Sequence, residues 1–104
     1  MADVRADVLS VLSRRARFVP ELARLVHAET PELERTLSEL EADGAVLVRE
    51  QYCADPHMVG TDLRIAARVP EPSQGNDPLA AAIAQIEATW QRWLGEYLAN
   101  HRCT

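Results

Sequence analysis

Residues 19–48 read VPELARLVHAETPELERTLSELEADGAVLV, and the architecture turns on this stretch. Pro20 suits the first turn of a short helix running to Ala28, with Leu22, Leu25 and Val26 inward. Thr30-Pro31 is a strong start for another helix, with Thr30 as cap, Pro31 at the first helical position and Glu32 and Glu34 near the positive end of the dipole. Leu33, Leu37 and Leu40 follow at i, i+4 and i+7, which puts all three on one face. Gly44 after Asp43 is a natural stop, because glycine enters the left-handed conformation at little cost. From Ala45 to Tyr52 the residues become β-rich, and the helical period is gone.

Upstream, Val4, Val8, Val11 and Leu12 share one face of a helix from about Asp3 to Ala16. Asp3 is its expected N-cap, and Arg14, Arg15 and Arg17 crowd its carboxyl end, where the dipole favours cations. Phe18-Val19 reads as a short extended step, since the residue before Pro20 is pushed out of the α region. Downstream, Leu63 to Val69 is a second β-rich run, separated from the first by the turn-forming stretch Ala54 to Asp62. The two make a hairpin with a loose tip. Pro70 to Pro78 has the composition of a linker, and Asp77-Pro78 opens a long helix reaching about Asn100. The predicted fold class is mainly α with a small β-hairpin (α+β), in the order helix, helix, helix, hairpin, long helix.

Composition narrows the function. With 104 residues, 47% apolar and 26% charged, the chain has the size and balance of one globular domain. No apolar run approaches membrane-spanning length, so no membrane partner is expected. The acidic start Met-Ala-Asp-Val-Arg-Ala-Asp is unlike a secretory signal, and a cytoplasmic location is expected. The net charge is −5, all eleven basic residues are arginine, and no polybasic block exists. Any contact with nucleic acid must therefore rest on local arginine placement. No Gly-rich phosphate loop, nucleophile elbow or His-Glu-x-x-His run is present, so neither an enzyme nor a cofactor is expected.

The run from Val19 to Val26, the break at Thr30, and then Leu33, Leu37, Leu40, Glu41, Gly44 and Val46 resemble the winged helix-turn-helix superfamily. In that superfamily a short helix and a recognition helix are followed by a glycine and a two-stranded wing. The long helix after the wing adds an architectural similarity to small bacterial repressors of the PadR, MarR and ArsR kinds, which often dimerise through helices outside the winged core. The resemblance implies a winged helix-turn-helix domain over residues 1–69, a linker at 70–78 and a dimerisation helix at 79–104. It implies a homodimeric regulator of transcription with double-stranded DNA as partner. The alternative is a winged-helix adaptor that binds protein and does not bind DNA specifically.

On that reading Thr30, Arg35 and Ser38 face the major groove, while Arg14, Arg15, Arg17, Arg49 and Arg64 hold phosphates. Against it, Glu32, Glu34 and Glu39 oppose approach to phosphates, and the wing tip offers Asp55, His57 and Asp62 but no arginine. A solvated acidic helix and arginines that merely pair with neighbouring acids are the plainer alternative. Leu79, Ile83, Ile86, Trp90, Trp93 and Tyr97 recur at spacings of three and four, a seam suited to a twofold mate. The alternative is that this helix folds back over the first helix and closes a monomeric core. Cys53, His57, His101 and Cys103 have the ligand chemistry of a zinc site without a zinc-finger spacing, and incidental thiols are the default, so no metal is assigned.

Overall fold

The computed structural model describes residues 3–53, 58, 60–71, 75 and 77–100. Helix α1 (Val4–Leu12) leads to a two-residue strand β1 (Arg17–Phe18) and helix α2 (Val19–Leu25). Helix α3 (Thr30–Ala42), strands β2 (Val46–Glu50) and β3 (Arg64–Arg68) and helix α4 (Pro78–Asn100) follow. The strands form an antiparallel sheet in the order β1-β3-β2, so the hairpin's second strand is central. Helices α2 and α3 make a helix-turn-helix, and β2–β3 is the wing-like hairpin after it.

Alternation along β3 explains the layering. Ala66 faces one side of the sheet, where Val8, Leu12, Leu22, Leu33, Leu37 and Leu40 from α1, α2 and α3 meet. Ile65 and Ala67 face the other side, where Ala82, Ile86 and Trp90 of α4 cover them. Successive strand residues point to opposite faces, so one short strand serves two cores. The long helix does fold back, over the far face of the sheet and not over α1.

Several local expectations hold. The Asp3 carboxylate accepts from the Arg5 backbone N–H at 3.1 Å, and Asp77 accepts from Leu79 N at 3.0 Å, so each caps its helix. The leucine ladder of α3 is buried throughout.

Other expectations are corrected. Helix α1 stops at Leu12, four residues early, because the chain must turn for Arg17 and Phe18 to pair with Ala66 and Ile65. Arg14 therefore lies in a turn and Arg15 in the irregular segment after it, neither of them in the last helical turn. The extended step at Phe18 is a true third strand, which no hairpin rule anticipates. The cap of α3 is Glu29, whose side chain makes no capping bond, and Thr30 is already helical. Leu25, expected inward, is 44% exposed because α2 ends there and no element covers it.

Candidate nucleic-acid interface

Two helix ends set how the chain enters and leaves α3: the end of α2 turns it into α3, and the end of α3 turns it into β2. At the end of α2 the Ala28 N–H donates to the Ala23 carbonyl at 3.1 Å and the His27 N–H to the Arg24 carbonyl at 3.3 Å. That is the Schellman pattern, and it requires a left-handed residue at the position His27 fills, with φ 54°. Helix α3 ends in the same way, through Ala45 N to the Leu40 carbonyl and Gly44 N to the Glu41 carbonyl, with Gly44 at φ 76°. Thus one turn uses the expected glycine and the other uses a histidine.

With Leu33, Leu37 and Leu40 inward, the exposed surface of α3 carries Thr30, Glu32, Glu34, Arg35, Ser38, Glu39 and Glu41. Part of this acidity is neutralised within the chain. Arg64 reaches from β3 to Glu34, with Nη2 2.7 Å from Oε1. The same guanidinium donates through Nε to Asp62 Oδ1 at 2.9 Å and through Nη2 to Asp62 Oδ2 at 2.7 Å. This bidentate bond holds the Asp62 carboxyl below the usual carboxylate range and raises the Arg64 guanidinium above its own. Arg5 of α1 pairs with Asp43 and lies 3.7 Å from Glu39. Among the described residues Arg35 and Ser38 make no ion pair or side-chain hydrogen bond, and both are exposed.

The proposed phosphate-binding arginines do not gather around α3. Arg64 is committed to Asp62 and Glu34, so its charge is spent inside the fold. Arg17 has a side chain only 16% exposed and bonds Glu21 at 2.8 Å, leaving its Nε buried without a partner among the described residues. Arg49 is exposed on the wing strand and unpaired among the described residues. Arg14 and Arg15 border clefts against α4, and the residue that joins them there is Arg92. Sequence reasoning missed Arg92, although it is the one basic residue between Pro78 and Asn100. Asp55, His57, His101 and Cys103 lie outside the described residues; Cys53 is half-buried beside the second core.

The aromatic seam of α4 divides between inside and outside. Ile86, Trp90 and Tyr97 are buried within this chain, Ile83 and Trp93 are half-buried, and Leu79 is 49% exposed. Trp93 stacks on Trp90 one turn before it and on Tyr97 one turn after it, each with ring centroids 5.1 Å apart. Leu94 is half-buried and Leu98 is 55% exposed. At 100° per residue these two and Ile83 form a strip on one flank of the helix, opposite the flank of Gln85, Arg92 and Glu96.

No protein-family model matches the chain, and no curated protein matches it. Among solved structures the chain is similar to a possible transcriptional regulator from Methanosarcina mazei Go1, with a TM-score of 0.52 and 14% identity. The match covers 99% of this chain and 81% of that one, so the shared fold runs through α4 as well as the helix-turn-helix and hairpin.

Proposed function

We propose that this chain is a regulator of transcription of the winged helix-turn-helix kind, which binds double-stranded DNA as a homodimer with α3 in the major groove. One observation carries the reading: α3 stands outward behind a capped helix-turn-helix, with Arg35 and Ser38 unpaired on its exposed face while Arg64 and Arg5 neutralise Glu34, Glu39 and Asp43. The likeness in fold to a possible transcriptional regulator supports it. Thr30, free of capping duty, sits at the amino end of α3, where backbone N–H groups favour a phosphate. Arg49 is the wing residue best placed to add a backbone contact. In the dimer, the strip of Ile83, Leu94 and Leu98 meets its twofold copy, because Ile86, Trp90 and Tyr97 are used within the chain.

The test begins with sheared DNA of the source genome, captured on the purified protein near physiological salt and sequenced. One or a few enriched loci sharing a pseudo-palindrome are the expected result, and Arg35→Ala is expected to weaken binding to them by about 1–3 kcal/mol. Uniform recovery, or an affinity indifferent to Arg35, overturns the reading. A second reading, a winged-helix adaptor that binds protein, is favoured by the four glutamates of α3. Phosphate binding weakens steeply as salt rises, whereas an apolar helix contact barely responds, and this separates the two.

A further inference from the structure

The arginines that α3 lacks are assembled on the other side of the molecule. Three adjoining clefts run between α4 and the segment from the end of α1 to β1, holding about 270, 190 and 260 Å³. Arg68 borders the first, Arg14 the second, and Arg15 and Arg92 are common to the second and third. Arg14, Arg68 and Arg92 have no ion pair among the described residues, and Arg15 has only a 4.0 Å approach to Glu21. In a chain of net charge −5, four nearly unpaired guanidiniums along one groove are an anomaly that surface solvation does not require.

We propose that this groove is a docking site for a short acidic polypeptide segment of a partner protein, with Arg15 and Arg92 as its central anchors. Its ends define what fits. Glu71 closes the first cleft, and Glu21 and Glu96 close the third. Between Gln85 and Glu96 the helix advances about 16 Å, the span of about five residues of extended chain. A peptide carrying two or three carboxylates in that span meets Arg14, Arg15, Arg68 and Arg92 along the groove, with Glu71 at one end and Glu21 and Glu96 at the other. A nucleic-acid strand, charged at every nucleotide, continues into the carboxylates at both ends.

The aromatic wall points the same way. Phe18 and Trp93 line the third cleft, and Trp93 already stacks with Trp90, Tyr97 and, at 5.7 Å and a tilt, with Phe18. With its stacking positions taken along the helix, Trp93 is a poor platform for a base. Ring edges carry positive potential and suit a carboxylate between the arginines. Guanidinium forks then grip that carboxylate bidentately. The groove lies on the flank of α4 away from Ile83, Leu94 and Leu98, so dimerisation through that strip leaves it open. This inference does not rest on DNA binding by α3.

The full chain is titrated against a fluorescein-labelled decapeptide holding four aspartates around one phenylalanine, followed by anisotropy. The asparagine-for-aspartate peptide and a ten-nucleotide thymidine strand serve as comparisons. Binding to the acidic peptide alone is expected, weakened at least tenfold in the Arg15→Gln/Arg92→Gln variant and unchanged in Arg35→Ala. Both arginines are exposed, so the double variant should keep the parent's circular dichroism; Arg92→Glu alone serves as a second loss-of-binding variant. Equal binding of the asparagine peptide, tighter binding of the thymidine strand, or peptide binding indifferent to Arg15 and Arg92 overturns the proposal. Loss of DNA binding in Arg35→Ala with peptide binding intact keeps the two sites distinct.

Discussion

Asp62 shows how one residue ties the β2–β3 hairpin to α3. Its carboxylate takes two bonds from the Arg64 side chain and one from the Arg64 backbone N–H, which aims the guanidinium at Glu34 of α3. A carboxyl held below its usual range stabilises the fold fully above its unfolded pKa, about 3.9, and that contribution disappears as pH falls through the lower folded value. Asp62→Asn is therefore expected to cost roughly 0.5–1 kcal/mol at neutral pH, in keeping with a partly exposed pair. Urea denaturation from pH 7 to pH 2 should show the two proteins converging below about pH 4. A gap that stays constant down to pH 2 removes the carboxylate from the account. The basic character of Arg64 was plain in the sequence, but its partner was not: Glu34 lies on another element, and only the pairing of Glu50 with Arg64 brings that side chain beside α3.

At the scale of elements, the two Schellman turns make opposite predictions. His27 holds a left-handed conformation that costs an ordinary residue about 1–2 kcal/mol, so His27→Gly should raise stability by about 0.5–1 kcal/mol after the added freedom of the unfolded chain is discounted. Gly44→Ala should lower it by about 1 kcal/mol, although a Cβ there would meet no atom within 4 Å. Thermal melts of the two variants check both signs. The helices, the hairpin and the stop at Gly44 were legible because each rests on spacing within a dozen residues. Thr30 was misread as a cap because two polar residues, Glu29 and Thr30, precede Pro31, and backbone angles alone decide which one is helical. Strand β1 was beyond reach for another reason: two residues carry no period, and Arg17-Phe18 is a strand only because β3 lies beside it.

Across the whole molecule, α4 belongs to the core. Ile86 and Trp90 cover Ile65 and Ala67, so the hairpin is sandwiched between helices α1, α2 and α3 on one side and α4 on the other. Trp90→Ala should cost about 3–5 kcal/mol, a large part of the stability expected for a domain of this size. A chain ending at Glu71 should show little cooperative melting by far-ultraviolet circular dichroism. A sharp two-state transition in that fragment would mean that α4 is an accessory. The apolar seam of α4 was readable in the sequence, but not its division between Trp90 inside and Leu98 outside. Period identifies an apolar face without saying whose surface covers it. The groove beside Arg92 was invisible for a related reason, since Arg14 and Arg15 are brought to α4 only by the turn that follows Leu12.

That sandwich also governs the order of events at the ribosome. The hairpin is synthesised before the 23 residues of α4 that cover its outer face. Until they emerge, Leu63, Ile65 and Ala67 face water on a nascent chain, beside the outer edge of β2, which pairs with no further strand among the described residues. An uncovered apolar strand face next to an unpaired edge invites pairing with another chain. Slowing translation between Arg68 and Pro78 would lengthen that interval, and speeding it would shorten it.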